Sequence, residues 1–291
     1  MYKLLDGKEC ASKIKNAIKN DISKLAKDEM PILGILQIGN LDESNIYVNS
    51  KIKVAKELGI SSKLIKLEEN CSEAKVIEAI EKLSNETTGF IIQLPMQTKK
   101  IKNVQKILNL IPSTKDIDGL SEFHLNSNYF KNESFLPATA LGIVIMLKQN
   151  NIAITNKKIA VIGQSKIVGY PLANYFEQLN NKVTRYTIDT PKTTIIENDI
   201  VIVATGARNC VTSDMIKNDA IIIDVGIHRI NGKIYGDVDF DSCKDKVSYI
   251  TPVPGGVGPM TIVSLILNLL KSMTFQEKKY KQIFKNLIKI W

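Results

Sequence analysis

Apolar residues recur at helical spacing from residue 10 to 27 (Cys10, Ile14, Ala17, Ile18, Ile22 and Leu25), which predicts an amphipathic helix. The short apolar run Ile32–Ile38 then reads as a buried strand, and Ser44–Leu58 as a helix that Gly59 stops. Ser62–Leu67 predicts a strand, Glu73–Ser84 a helix, and Gly89–Leu94 a strand ending at Pro95. Strand and helix in alternation imply a parallel sheet covered by helices. Periodicity lapses over residues 111–136, which are rich in Pro, Ser, Asn and Asp and read as a long loop. Ala138–Gln149 is helical and suited to bridging two domains.

A second alternating series follows. Lys158–Ile162, Lys182–Thr187, Ile200–Ala204 and Ala220–Val225 read as strands, Tyr170–Leu179 as a helix, and the chain is helical again from Thr261. Continuous apolar strands of this kind fit a sheet buried on both faces. At the C-terminus Tyr280, Ile283, Phe284, Leu287, Ile288 and Trp291 fall on one helical face, with the neighbouring lysines mostly elsewhere. Docking onto the first domain is the expected fate of that face, and lying on a membrane surface the alternative.

A length of 291 residues accommodates two domains, since a domain takes roughly 100–200 residues. The net charge of +9 raises the question of nucleic acid, but only Arg185, Arg208 and Arg229 among 39 cations carry the planar guanidinium fork that reads bases. The lysines are dispersed and not interleaved with aromatics, so nucleic acid is not an expected partner. MYKLLDGKEC contains no apolar signal core, and no unbroken apolar run approaches the ~18 residues of a membrane span, so a cytoplasmic chain without a membrane partner is expected. Four scattered cysteines and two histidines, His124 and His228, offer no metal-ligand spacing, and no metal is expected.

Several segments carry chemistry. The strand Lys158–Ile162 runs into Gly163-Gln164-Ser165-Lys166-Ile167-Val168-Gly169 and a helix start, the strand–turn–helix arrangement that holds a dinucleotide pyrophosphate. Its glycine spacing is looser than G-x-G-x-x-G, so an ordinary tight turn is an equal reading. Tyr47 and Lys51 stand one helical turn apart, an aromatic ring beside an amine; a solvated lysine over a core tyrosine is the competing picture. Gln93, Leu94 and Pro95 end a strand, where ligands of open α/β sheets bind, and Asp118 precedes Gly119 in the long loop. The uncharged stretch Thr251–Thr261, with three glycines and three prolines, suits a loop that hugs a ligand.

As an ordered set these segments resemble the bifunctional methylenetetrahydrofolate dehydrogenase/cyclohydrolase family, over residues 1 to about 272. The likeness rests on Tyr47–Lys51 with Gly59-Ile60, on Gln93-Leu94-Pro95, on Lys115–Gly119 and on Pro137–Gly142. It continues through Gly163–Pro171, Asp224-Val-Gly226, Gly236–Asp239 and the PVPGGVGPMT string. The resemblance implies two α/β domains flanking a cleft: residues 1–140 with 262–291 as the folate-binding domain, and 141–261 as a Rossmann-type doubly wound parallel sheet. It implies oxidation of 5,10-methylenetetrahydrofolate with NADP, then hydrolysis of the methenyl cation to 10-formyltetrahydrofolate, in one-carbon metabolism and purine biosynthesis, by a homodimer.

By the same resemblance Lys51 is the catalytic amine, Tyr47 stacks on folate, Gln93 orients Lys51, and Asp118 anchors the pterin. Leu94, Pro95, Pro254, Gly255, Gly256 and Pro259 complete the substrate contacts. Gly163, Gln164, Ser165, Lys166, Ile167, Gly169, Arg185, Thr205, Gly206, Ile227, Gly258 and Thr261 hold the cofactor. Three departures stand out. Gln164 occupies a position where many relatives carry Arg, and Asp189 follows the strand end in place of Ser or a basic residue. Ala138 and Ala140 replace the Cys and Pro of P-C-T-P. The first two leave NAD open beside NADP, and a dehydrogenase with a weak hydrolase step is the related alternative.

Overall fold

A computed structural model describes residues 2–131 and 133–290. Its strands are β1 (Lys3–Leu4), β2 (Ile32–Ile38), β3 (Ser61–Leu67), β4 (Gly89–Ile92), β5 (Lys158–Ile162), β6 (Lys182–Tyr186), β7 (Ile200–Val203), β8 (Ile221–Asp224), β9 (His228–Ile230), β10 (Lys233–Tyr235) and β11 (Tyr249–Ile250). The chain divides into two compact units. One comprises Ile14–Ala138 and residues from Ile262 onward; the other comprises the residues up to Lys13 and Thr139–Thr261.

The first unit is built on a three-stranded sheet, ordered β3-β2-β4 and parallel throughout. β2 is central and buried along almost its whole length, as its unbroken apolar run requires. The helices Asp42–Glu57 and Glu73–Glu86 make the two crossovers. Ser72 caps the second, its side chain accepting from the Lys75 amide. Beyond β4 the chain returns through residues 112–119, where Asp116 forms an isolated parallel bridge to Phe90 and prolongs the sheet at the β4 edge.

The second unit carries a six-stranded parallel sheet in the order β1-β11-β8-β7-β5-β6. β5 has β6 on one side and β7 on the other, so the strand order reverses there, which makes the C-terminal ends of these strands the expected ligand position. By contacts, residues 2–13 group with this unit. β1 pairs with β11, and a Cβ at Gly7 would lie only 1.7 Å from the Gly256 carbonyl oxygen, so the chain is packed directly on residues 255–256. Two-residue strands have no readable period, which is why the sequence pattern leaves β1 and β11 out.

The helix Val257–Gln276 begins four residues before the expected start, so Gly258, Pro259 and Thr261 lie in its first turns and not in a loop. Proline is accommodated there because the first helical N–H groups have no partner within the helix. This helix is long and apolar enough to cross a membrane by length and composition, with a mean hydropathy of 1.3, but 72% of its most apolar window is buried in the fold. Ser264, Asn268 and Ser272 recur every fourth residue and are buried too. Asn268 Nδ2 donates to the carbonyls of Ile117 (2.9 Å) and Leu136 (3.1 Å), and Ser272 Oγ donates to those of Thr88 and Thr114. It is a core helix whose polar stripe anchors the long loop.

The single helix expected for the tail is two short ones, Lys279–Ile283 and Lys285–Ile288, broken at Phe284. Tyr280, Phe284 and Leu287 are nonetheless buried, and Lys279 and Lys281 reach Glu29 and Glu133. The tail's apolar face is therefore covered by its own unit. Ile288 is exposed, and Trp291 lies outside the described residues.

Candidate active site

Lys51 lies in the last half of the Asp42–Glu57 helix and Gln93 at the C-terminal end of β4. The Gln93 amide N–H donates to Leu36 O of β2, so sheet pairing carries Gln93 up to the helix that follows β2. Lys51 Nζ then donates to Gln93 Oε1 at 2.9 Å. Gln93 Nε2 donates to Leu94 O at 2.7 Å, which fixes the amide so that its oxygen faces the amine. Lys51 is only 8% exposed, while Tyr47, one turn earlier, is 40% exposed. The expected alternative of a solvated lysine over a core tyrosine is thus reversed: the amine is inside and the ring is at the surface.

Burial holds the Lys51 pKa below the ordinary lysine value, because a charged amine loses its hydration there, and the Asp118 carboxylate partly opposes that shift. Burial and neighbouring Asp116 in turn push the Asp118 carboxyl up, against the pull of Lys51. Asp118 sits on a turn that Asp116 ties down. The buried Asp116 carboxylate accepts from the Gly119 amide at 3.1 Å and the Ser121 amide at 2.8 Å, and Gly119 adopts φ +70°. Asp116 and Asn268 hold this turn from opposite sides of the sequence, and neither role was legible from residue spacing.

His124 is fully buried beneath the same loop. Ser113 O can only accept and the Phe135 amide can only donate, so Nε2 carries the proton (2.9 Å) and Nδ1 is the acceptor (3.1 Å). Burial lowers its pKa to about 4. A folded pKa below the unfolded value near 6.5 means that the unfolded chain binds protons more readily. The neutral ring's contribution to stability is therefore full above pH ~6.5 and is lost as pH falls toward about 4, a loss of roughly 3 kcal/mol. Urea unfolding from pH 7 to 4.5 should show this decline in wild type and a shallower one in His124→Asn. Identical slopes would refute the assignment.

In the six-stranded unit a cavity of about 560 Å³ opens at the ends of β5, β6 and β7. Gly163, Gln164 and Ser165 line it from the turn after β5, Tyr186, Thr187 and Ile188 from the end of β6, and Ala204 and Thr205 from the end of β7. Gly163 holds φ +92°, and a Cβ there would come within 2.1 Å of Ala204 O; Gly206, at φ +69°, meets nothing within 4 Å. A tight turn packed against one strand and an open glycine on the next leave backbone facing free space, which fits a dinucleotide. The Thr205–Gly206 segment is fixed from behind by Asp237. Its fully buried carboxylate accepts from the Thr205 amide (2.7 Å), the Gly206 amide (2.9 Å) and the Thr205 hydroxyl (2.9 Å), and it pairs with His228. Asp224 braces Asp237 in turn, accepting from the amides of Asp237 and Val238, and burial raises its pKa to about 6.

Eight of the expected cofactor contacts are not among the residues that line this cavity: Lys166, Ile167, Gly169, Arg185, Gly206, Ile227, Gly258 and Thr261. Arg185 is turned to the helix beside it: Nε and Nη2 bond both Glu177 carboxylate oxygens, Nη2 also reaches Asn174, and the guanidinium covers the Tyr170 ring. Two strong hydrogen-bonded partners outcompete an open cavity for that guanidinium. Lys166 and Ile167 are exposed on the turn and do not line the cavity, whereas Gly169 packs under the turn, where a Cβ would lie 1.8 Å from Gly163 O. Ile227 is 45% exposed, and the Thr261 hydroxyl bonds Thr139 and Val257 O. Pro254, Gly255, Gly256, Pro259 and Gly258 belong to this unit as well.

A six-stranded dinucleotide-type unit, joined to one that buries an amine against a fixed amide, defines a two-domain α/β dinucleotide-dependent enzyme. Residues 5–118 match the tetrahydrofolate dehydrogenase/cyclohydrolase catalytic domain, and residues 137–277 match the NAD(P)-binding domain of the same family. The Bifunctional protein FolD of Metamycoplasma arthritidis is 47% identical, covering 98% of this chain and 97% of its own. The Campylobacter jejuni FolD methylenetetrahydrofolate dehydrogenase/cyclohydrolase structure superposes with a TM-score of 0.89 at 37% identity, over 95% of this chain and 100% of that one. The Trypanosoma brucei FolD structure, complexed with NADP and an inhibitor, gives 0.88 at 28% identity, over 94% and 98%. The chain belongs to the tetrahydrofolate dehydrogenase/cyclohydrolase family.

Proposed function

We propose the residue roles by which this chain, a bifunctional methylenetetrahydrofolate dehydrogenase and methenyltetrahydrofolate cyclohydrolase, performs its two reactions. When bound, NADP supplies the hydride acceptor for the methylene carbon. The chain's part in that step is orientation, which is what hydride transfer most requires. Gly163–Ser165 and Thr205–Gly206 hold the dinucleotide, and the exposed Tyr47 ring and the Asp118 carboxyl hold the pterin. The acid suits the donor-rich edge of that ring.

In the second reaction water adds to the methenyl carbon, and its proton passes to the neutral Lys51 amine. The carbon–N5 bond then breaks as the new hydroxyl becomes the formyl carbonyl and N5 gains a proton. One proton in net is released to solvent. The observation that carries this reading is the buried Lys51 bonded to Gln93. One N–H of a neutral amine is committed to Gln93 Oε1, which leaves the lone pair free to accept. Neighbouring Asp118 keeps the buried site from being purely repulsive to the protonated product.

NADP as the preferred cofactor rests on the family's habit and on the position of Asp189, which lies beyond the end of β6 and does not line the cavity. Methenyl formation followed spectroscopically with NADP and with NAD tests it: a higher kcat/KM with NADP is expected, and a preference for NAD overturns it. A cytoplasmic homodimer supplying 10-formyltetrahydrofolate to purine biosynthesis completes the proposal. Light scattering should give the mass of two chains.

A further inference from the structure

If NADP is the cofactor, some group must meet its 2′-phosphate, and the groups expected to do so are engaged elsewhere. Gln164 Nε2 donates to Val161 O (2.9 Å) and Gly163 O (3.1 Å), so this amide folds back onto its own turn. Arg185 is committed to Glu177 and Asn174. Lys166 and Asp189 do not line the cavity. One charged side chain does among the residues that line it: Lys192, the first residue of the short 3-10 helix Lys192–Glu197. It follows Thr187 and Ile188 at the end of β6, the second strand of the nucleotide fold, where the adenosine ribose 2′-position is read in such sheets.

We propose that Lys192 is the cation that receives the 2′-phosphate of NADP and so sets the preference for NADP over NAD. The inference rests on the NADP reading above. A lysine ammonium suits this role as a compact point charge at an open rim, needing no bidentate geometry. Gln164 stands where many relatives carry arginine, and Lys166 on the same turn does not line the cavity, so Lys192 supplies the charge there from beyond the end of β6. It was invisible to sequence reading because it stands outside the glycine turn, in a Thr-Pro-Lys-Thr stretch with no motif.

Calorimetry with two probes separates this inference from the reading beneath it. Adenosine 2′,5′-bisphosphate carries the 2′-phosphate and adenosine 5′-monophosphate lacks it. Wild type should bind the bisphosphate at least tenfold more tightly, with the advantage shrinking as salt rises. Lys192→Met should erase that advantage while its affinity for the monophosphate stays within about twofold of wild type, which also shows that the cavity is intact. Lys192→Arg should retain most of it. Equal binding of both probes by wild type would sink the NADP reading and the inference with it. A wild-type preference that survives in Lys192→Met would overturn the role of Lys192 alone.

Discussion

A Lys51→Met variant should lose methenyltetrahydrofolate hydrolysis by about 10²–10⁴-fold, the usual contribution of a positioned general base. Methionine nearly matches the lysine stem in length and is comfortable where Lys51 is buried, so the fold and dinucleotide binding should survive. Lys51→Arg should be no better, because a guanidinium stays protonated and has no lone pair to offer. Burial lowers the Lys51 pKa, so the wild-type hydrolysis rate should rise with pH along a limb lying below the ordinary lysine value of 10.5. That limb should vanish in both variants. The decay of methenyl absorbance, corrected for spontaneous hydrolysis, measures all of this. Full retention of hydrolysis in Lys51→Met would remove Lys51 from the mechanism.

Phe284→Ala should destabilise the protein by about 3–5 kcal/mol, the range for truncating a fully buried phenylalanine. Phe284 is 0% exposed, as is Leu287, and the Tyr280 ring stacks beside it with centroids 6.1 Å apart. The ion pairs of Lys279 with Glu29 and Lys281 with Glu133 lie at the surface, where solvent screens them, so burial and not charge docks the tail. Ile288 lies beyond the buried set at 38% exposure, and Ile288→Ala should change little. Thermal scans of the two variants are decisive: a drop of several degrees for Phe284→Ala and almost none for Ile288→Ala is expected. If both variants melt with wild type, the tail is not packed on its unit, and a membrane-surface helix becomes the better account.

Much of the fold was written in local pattern. Ile32–Ile38, Lys158–Ile162 and Ala138–Gln149 appear with the bounds that the sequence predicts. The first two are short β-branched runs of strand length and the third a twelve-residue apolar run of helix length, so length and composition settle each type. Elements held by two or three residues of pairing escaped: β1 with β11, and the antiparallel hairpin of β9 with β10. β1 and β11 extend a sheet that already exists, and β9 and β10 pair only with each other; strands of two or three residues have no readable period to announce them. The tail misled for a related reason. Its apolar spacing was helical throughout, but packing set a break at Phe284.

At the site the division is similar. Residue types and their order along the chain pointed by resemblance to Lys51, Gln93 and Asp118, and to the turn at Gly163. Their chemistry was decided in three dimensions. Whether Lys51 is a solvated cation or a buried amine depends on what covers it, and that cover comes from strands far away in sequence. Arg185 and Lys192 make the contrast plain. Arg185 stood in the more obvious place, on a strand of the nucleotide sheet, but Glu177 one helix earlier claims its charge. Lys192 had no motif to mark it, yet the turn after β6 brings it to the cavity. Sequence alone determined which periods, turns and reactive side chains were present. Tertiary structure decided which charges were already neutralised, because a charge acts on whatever partner lies nearest in space, however far along the chain.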